Sequence, residues 1–166
     1  MKHWLGWMLF FSSITSPYSS ELTVPLHDPG SGTFYVTGKL ANLAPTQFLL
    51  DTGSSYSSID QATLGLLQQQ GEAEYVRSQT GFLANGNRVN VPLYRIQRLA
   101  IGTSCRLKNI EVAVFPQSQR PILGLNVLSK LSPFVISVHP PRLTIQGCHP
   151  IQTSNEKPRP SLASSP

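Results

Sequence analysis

Residues 48–55 read Phe-Leu-Leu-Asp-Thr-Gly-Ser-Ser, a short apolar run that leads directly into an acidic residue and several small polar ones. The apolar run predicts a β-strand with buried leucines, which delivers the Asp51 carboxylate to the mouth of the strand. A carboxylate at that position is partly removed from water, and the hydroxyls of Thr52 and Ser54 lie beside it. An ordinary turn is the alternative, because Asp, Thr, Gly and Ser all favour turns.

Short β-like runs and turns extend on both sides of this stretch. Residues 33–40 alternate apolar and polar side chains in the manner of a half-buried strand. A helix is predicted over residues 59–70, with Asp60 as its cap and Gly71 at its end, and one or two helical turns over residues 126–131. The remaining predicted strands cover residues 47–50, 74–82, 89–96, 98–102, 110–115, 134–138 and 142–145. This arrangement predicts a mostly all-β fold, closed or barrel-like, with one or two short helices.

The beginning of the 166-residue chain differs from this strand-rich middle. Lys2 and His3 precede an apolar run over residues 4–11, and small polar residues follow up to residue 20. This order is typical of a secretory signal peptide over residues 1–20, so we expect an exported protein, periplasmic or secreted. A short N-terminal strand or helix is the alternative. The apolar run is much shorter than the ~20 residues that a bilayer span needs, so we expect no stable membrane span.

The end of the chain, residues 149–166, is polar, rich in Pro and Ser and nearly without apolar periodicity. Such a composition predicts a disordered tail. The folded domain is therefore predicted to cover residues 21–148. That length is sufficient to bury a core without help from a metal or a framework of disulfides.

The net charge of +5 comes from basic residues scattered singly along the chain, with no basic run and no interleaved aromatic residues. Nucleic-acid binding is therefore not expected. His27, His139 and His149 are lone residues near prolines, and we expect no metal and no other cofactor. Cys105 and Cys148 are the two cysteines of the chain. An exported protein could join them in one disulfide, and two buried free thiols are the alternative.

Two later segments complete a pattern with residues 48–55. Asn85-Gly86 lies between two β-like runs and is a strong signal for a two-residue hairpin turn. Residues 122–128 read Ile-Leu-Gly-Leu-Asn-Val-Leu, an apolar strand that ends at a glycine and leads to a short helix. Taken alone, the first segment predicts a plain surface hairpin and the second a core strand.

The order of these segments, over nearly the whole predicted domain, resembles that of retropepsin-like aspartic proteases. Residues 48–55 are similar to the active-site segment of aspartic proteases. Ile122, Leu123 and Gly124 are similar to the hydrophobic-hydrophobic-Gly segment of retropepsins, and the hairpin lies where that family carries its flap. The leader and the flanking serines resemble the small exported single-domain enzymes of bacteria more than the retroviral enzymes. The resemblance implies a closed β-barrel that acts as an aspartic endopeptidase in a twofold homodimer.

One acid is not enough for this chemistry, because peptide hydrolysis by carboxylates needs one ionised and one protonated group. The chain has three aspartates and a single Asp-Thr-Gly. Asp28 lies in an Asp-Pro-Gly turn and Asp60 near the start of the predicted helix, so both have ordinary structural roles. We therefore expect Asp51 to meet Asp51 of a second copy in a twofold homodimer.

The resemblance also implies roles for the residues around the acid. Thr52 would bond across the dimer axis, Gly53 would let backbone donors approach the carboxylates, and Ser54 would bond the outer carboxylate oxygen. The flap would cover an extended peptide substrate and exclude water. Its predicted residues are Gly81, Phe82, Leu83, Asn85 and Gly86. A peptide-binding or scaffolding module of the same fold, without proteolytic activity, is the alternative function.

Overall fold

The computed structural model of the chain describes residues 21–82, 86–116 and 120–148. The predicted signal peptide, the predicted tail and the flap residues Leu83 and Asn85 lie outside the described residues. Strands predominate among the described elements, which confirms the mostly all-β prediction. In chain order the elements are β1 (Leu22–His27), β2 (Tyr35–Leu40), β3 (Thr46–Leu50), β4 (Ser57–Asp60), α1 (Gln61–Gln69), β5 (Ala73–Phe82), β6 (Arg88–Ile101), β7 (Cys105–Phe115), β8 (Ile122–Leu123), α2 (Leu125–Leu128), a 3-10 turn (Ser129–Leu131), β9 (Phe134–Ser137) and β10 (Arg142–Ile145).

Strand pairing in the described part of the chain follows the order β5-β6-β7-β4-β8-β3-β2-β1-β10-β9. The end of β6 also pairs with β2, where Leu99 lies opposite Leu40 and Ile101 opposite Gly38. Six strands, from β6 through β7, β4, β8 and β3 to β2, therefore pair in a closed circuit. The short β8 runs parallel to β3 and antiparallel to β4, so it lies between the strand that precedes residue 51 and the strand that follows residue 56.

The core is built from buried side chains of these strands. Val36 and Leu40 of β2 and Phe48 of β3 are at most 3% exposed, in agreement with the alternation over residues 33–40. Leu49 and Leu50 are only half-buried, so the expectation of two buried leucines is wrong. They occupy the last positions of β3 next to an exposed turn, and Phe48 fills the core in their place.

The helix predicted over residues 59–70 begins later than expected. Ile59 and Asp60 close strand β4, because Ile59 pairs in parallel with Val114 of β7 and is 2% exposed in the core. Asp60 still caps the helix, since its Oδ1 accepts the N–H of Thr63 at 2.8 Å. Gly71 follows the helix with a φ of +68°, a conformation that favours glycine and ends the helix as predicted.

The two ends of the domain form a small sheet of their own. β10 lies between β1 and β9, and all three strands are antiparallel. Backbone pairing joins β1 to the main sheet at two residue pairs with β2, Leu26 with Val36 and His27 with Tyr35. Cys105 and Cys148 are joined by a disulfide with a Cα–Cα distance of 5.5 Å. This bond ties the end of the terminal sheet to the start of β7.

The helices are short, with nine residues in α1 and four in α2. Over residues 21–82, 86–116 and 120–148, no helix has both the length and the apolar character that crossing a membrane requires. Over the same ranges, no three His, Cys, Asp or Glu side chains are grouped so that they could hold a metal ion.

Candidate active site

Asp51 directly follows β3, and two neighbouring segments fix its backbone. Its own N–H donates to the carbonyl oxygen of Leu123 at 3.1 Å, which continues the parallel pairing of β3 with β8. The N–H of Leu50 donates to the carbonyl oxygen of Phe34 at 2.9 Å. The backbone that carries the acid is therefore held by hydrogen bonds on both sides, and this limits where its side chain can lie.

Two local donors hold the Asp51 carboxylate. The backbone N–H of Gly53 donates to Oδ1 at 2.8 Å, and the hydroxyl of Ser54 donates to Oδ2 at 2.7 Å. A Cβ at residue 53 would lie 3.2 Å from Oδ1. The absence of a side chain therefore lets the backbone of residue 53 come close to the carboxylate. Thr52 and Gly53 are exposed, and Asp51 is half-buried. The carboxylate is thus oriented by its own loop and still open to water on one side.

The loop after Asp51 rests on the segment that follows β8. The N–H of Leu125 donates to the carbonyl oxygen of Ser54 at 2.8 Å, and the N–H of Asn126 donates to that of Ser55 at 3.1 Å. These donors belong to the first turn of α2, which has no partners for them within the helix. The predicted active-site segment and the predicted hydrophobic-Gly segment are therefore brought together by the backbone.

Ser57 and Asn126 join the same two segments through side chains. The Oδ1 atom of Asn126 accepts the backbone N–H of Ser57 at 2.8 Å and its hydroxyl at 3.1 Å. The Ser57 oxygen in turn accepts the N–H of Gly124 at 3.0 Å, and the Asn126 amide donates to the carbonyl oxygen of Glu111 at 2.6 Å. The sequence prediction missed both residues. The signal was a single amide within the otherwise apolar run of residues 122–128.

Gly124 lies where no side chain fits. A Cβ there would lie 2.5 Å from the carbonyl carbon and oxygen of Tyr56 and 2.8 Å from the carbonyl oxygen of Ser54. We expect Gly124→Ala to lower the free energy of unfolding by about 3 kcal/mol, because backbone atoms must move to relieve the overlap. Urea denaturation measures this effect.

Gly65 provides the matched control for that substitution. It lies inside α1, and a Cβ there would meet no atom within 4 Å apart from its chain neighbours and the backbone of its own helix. Gly65→Ala should therefore raise the free energy of unfolding by about 0.5–1 kcal/mol. Equal midpoints for the two variants would contradict the tight packing of the active-site loop on residue 124.

Asp51, Gly53 and Ser54 line a groove of about 930 Å³. Gly81 and Phe82, predicted as flap residues, line the same groove from β5, and Phe82 is 69% exposed. Leu123 is fully buried, and Gly86 is exposed. The other residues along the groove are Ser55, Tyr56, Ser58, Gln79, Thr80, Val89, Val91, Leu93, Ala113, Phe115, Pro116 and Ile122.

Asp51 is the single carboxylate among the described residues that line the groove. Of the six other described acids, Glu21 is exposed ahead of β1, and the other five have partners outside the groove. Asp28 accepts the N–H of Gly30 in its turn, and Asp60 caps α1. Three glutamates form ion pairs with arginines: Glu72 with Arg98, Glu74 with Arg95, and Glu111 with Arg77. The described part of one chain thus offers one acid to the groove.

Tyr56 links the active-site loop to β5, and the sequence prediction missed it as well. Its hydroxyl donates to Oε1 of Gln79 at 3.0 Å and accepts from Nη2 of Arg77 at 3.2 Å. Arg77 also forms an ion pair with Glu111 at 3.0 Å. The hydrogen bonds to Glu111 and Tyr56 raise the pKa of the Arg77 guanidinium, so it stays charged as a donor. No local sequence pattern predicts these contacts, because Arg77 and Gln79 lie 21 and 23 residues from Tyr56.

Comparison with known proteins agrees with this geometry. The sequence model of the aspartyl protease family matches residues 36–127, which is more than half of the chain and includes the Asp51 loop and the Gly124 segment. No curated protein matches the chain in sequence. The crystal structure of a retropepsin-like aspartic protease from Rickettsia conorii is similar, with a TM-score of 0.52 and 20% sequence identity. The match covers 76% of this chain and 89% of that one, and it shows a shared fold. The chain is therefore a member of the aspartyl protease family with a retropepsin-like fold.

Proposed function

We propose that this protein is an aspartic endopeptidase, in which the Asp51 carboxylates of two copies activate a water molecule that hydrolyses a peptide bond. One observation carries the proposal: a carboxylate held by Gly53 and Ser54 lies half-exposed along a large groove. A turn that merely shaped the backbone would not need to present its acid to such a groove. Membership in the aspartyl protease family supports the same chemistry.

The proposal requires a homodimer, because the reaction uses two carboxyl groups in different states. One ionised group takes a proton from water, and one protonated group polarises the scissile carbonyl. Two carboxyl groups that share one proton meet this need without any further residue. The described part of one chain supplies only Asp51 to the groove, so the second group comes from Asp51 of another copy.

The neighbouring residues then orient the pair. In each copy, the Gly53 N–H and the Ser54 hydroxyl keep both oxygens of Asp51 in place, so little reorganisation is needed when the proton moves. Thr52 is exposed beside the acid, and we assign its hydroxyl to the contact with the second loop across the twofold axis.

The substrate in this proposal is an extended peptide. β5 is at one end of the strand order, so one edge of it is available to pair with a peptide backbone. The groove next to β5 is lined by apolar side chains of β6 and β7, among them Val91, Leu93 and Phe115. This lining favours peptides with apolar residues near the cleaved bond.

Export of the protein is part of the proposal. The leader-like residues 1–20 support it, and so does the disulfide between Cys105 and Cys148. Disulfides persist in oxidising compartments such as the bacterial periplasm and the extracellular space.

A statine-type transition-state mimic tests the proposal. Its hydroxyl takes the place of the activated water between two acids, so one molecule should bind per two chains and should block cleavage of a peptide library at mildly acidic and neutral pH. The matched control is the same peptide with an ordinary amide in place of the statine unit, which should bind at least about a hundredfold more weakly.

Two results would contradict the proposed enzyme. A peptide-binding module would bind both compounds equally and leave the library intact. Cleavage by a protein that sediments as a strict monomer, with one inhibitor per chain, would exclude the shared site. Sedimentation and titration calorimetry on the same preparation distinguish these cases.

A further inference from the structure

Strands β5 and β6 extend beyond the rest of the sheet as a two-stranded arm, residues 78–82 and 88–92. Their pairing continues out to Phe82 opposite Arg88. β7 joins β6 only from Leu93 onward, opposite Ala113. In the described ranges the arm therefore has no third strand, and a two-stranded hairpin by itself is only marginally stable in water.

The base of the arm is also irregular. The register of β5 and β6 shifts between Tyr75 and Arg77. Such a bulge disrupts the hydrogen-bond ladder locally and increases the bend and twist of the strand. The position of the arm is therefore not set by backbone pairing alone, and a side-chain contact near its base can decide where it lies.

Tyr56 makes that contact from the active-site loop. Its ring packs against the small buried cluster of Val91, Leu93 and Ala113. Its hydroxyl reaches Gln79, the second residue of the arm, at 3.0 Å and Arg77 at 3.2 Å. Arginine has only donors, so the phenol oxygen accepts from Arg77 and its single proton is left for Gln79. The ion pair with Glu111 keeps the guanidinium in place for this arrangement.

We propose that Tyr56 is a positioning residue, whose hydroxyl ties the arm to the active-site loop and so fixes the width of the groove above Asp51. Gln79 and Phe82 line the groove from the arm, and Asp51 and Tyr56 line it from the loop. The Tyr56–Gln79 hydrogen bond joins these two walls directly. The inference rests on the proposed function, because the groove whose width is set is the one assigned to the peptide substrate.

Hydrogen exchange of the substrate-free protein tests the proposed role of the Tyr56–Gln79 hydrogen bond and requires no enzymatic activity. Tyr56→Phe keeps the packed ring and removes the hydroxyl. We expect the amides of residues 78–82 and 88–92 to exchange about fivefold faster, the factor that a hydrogen bond of ordinary net strength carries. Tyr75→Phe is the matched control, because the Tyr75 hydroxyl bonds to Ser78 within the same strand and does not join the arm to the loop. It should leave the exchange of residues 79–82 and 88–92 unchanged.

Substitutions of Gln79, the acceptor of this hydrogen bond, provide a second measurement. Gln79→Leu should accelerate exchange as much as Tyr56→Phe, and the double variant should exchange no faster than either single variant. Gln79→Glu keeps an oxygen acceptor for the phenol and should restore most of the protection. Wild-type exchange in Tyr56→Phe, or full additivity of the two single variants, would overturn the proposed tie.

Steady-state kinetics distinguish a positioning role of Tyr56 from a role in the chemical step. With a cleaved peptide, Tyr56→Phe should raise KM about fivefold and change kcat by less than about twofold, because only the placement of the substrate is weakened. A fall in kcat as large as that of an Asp51 variant would show that Tyr56 takes part in the reaction itself, and would overturn the positioning role. If no peptide is cleaved by the wild-type protein, the proposed function fails and the exchange measurement still decides the tie.

Discussion

Asp51→Asn is expected to lower the rate of peptide cleavage by roughly a thousandfold or more, as the loss of an essential acid–base group does. The amide has nearly the shape of the carboxylate, and its oxygen can still accept the N–H of Gly53. It cannot take a proton from water at any pH used for the assay. The fold should therefore persist while the reaction stops, and cleavage of a fluorogenic peptide selected from the library measures this.

Asp28→Asn is the matched control for this substitution. Asp28 makes the same kind of contact, in which its Oδ1 accepts the N–H of the residue two positions later at 2.7 Å. It lies in an exposed turn and does not line the groove, so its replacement should leave both cleavage and stability unchanged. Equal cleavage by Asp51→Asn and the wild-type protein would eliminate the proposed mechanism.

Mixing the two proteins extends this prediction to the dimer. When equal amounts of wild type and Asp51→Asn exchange subunits, a quarter of the dimers carry two intact acids, while the number of dimers has doubled. The activity should therefore fall to about half of that of the wild type alone. A wild type that kept its full activity in the mixture would act as a monomer, and the argument from a shared pair of acids would be lost.

The features that the sequence predicted well depend on chemistry within a few residues. The cap at Asp60 and the end of the helix at Gly71 follow from one side-chain oxygen and one positive φ. The contact between Gly53 and Asp51, for which only the family resemblance gave an expectation, is equally local, because donor and acceptor are two positions apart. Such features require no knowledge of which strands become neighbours.

The features that the sequence did not predict depend on which strands lie next to each other in the fold. Ile59 fits a helical pattern, and only the parallel pairing with Val114 of β7 makes it part of a strand. Ser57 and Asn126 are 69 residues apart, and the short β8 brings them together. Their polar side chains look like ordinary surface or turn residues until the pairing of β3, β4 and β8 is known. A pattern with a period of two or 3.6 residues carries no information on such contacts.

The proposed need for a second copy is a different case, because it is inferred from the number of acids. The sequence offers a single Asp-Thr-Gly and two other aspartates with structural roles. The structure adds that three glutamates, Glu72, Glu74 and Glu111, form ion pairs with arginines of the same chain. Sequence and fold thus both support the proposed dimer, and the mixing experiment above tests it directly.

The disulfide between Cys105 and Cys148 is expected to contribute strongly to the stability of the domain. The terminal sheet of β1, β10 and β9 pairs with the main sheet at two residue pairs of β1 with β2, and its buried side chains share the main core. Cys148 follows β10 and is bound to Cys105 at the start of β7. Without that bond, core packing and the backbone hydrogen bonds of Gln146 to Pro133 and Gly147 to Leu131 have to hold the end of the domain.

Replacing both Cys105 and Cys148 by alanine is expected to lower the free energy of unfolding by about 4 kcal/mol, the chain-entropy value for a cross-link across 43 residues. Both side chains are at most 2% exposed, so alanine avoids the buried, unpaired hydroxyl that serine would introduce. Each single substitution should destabilise nearly as much as the pair, because both break the same bond. A thiol reductant should lower the urea midpoint of the wild type and leave that of the double variant unchanged. An unchanged wild-type midpoint under reduction, or single effects that add up to the double, would show that the cross-link does not stabilise the domain in this way.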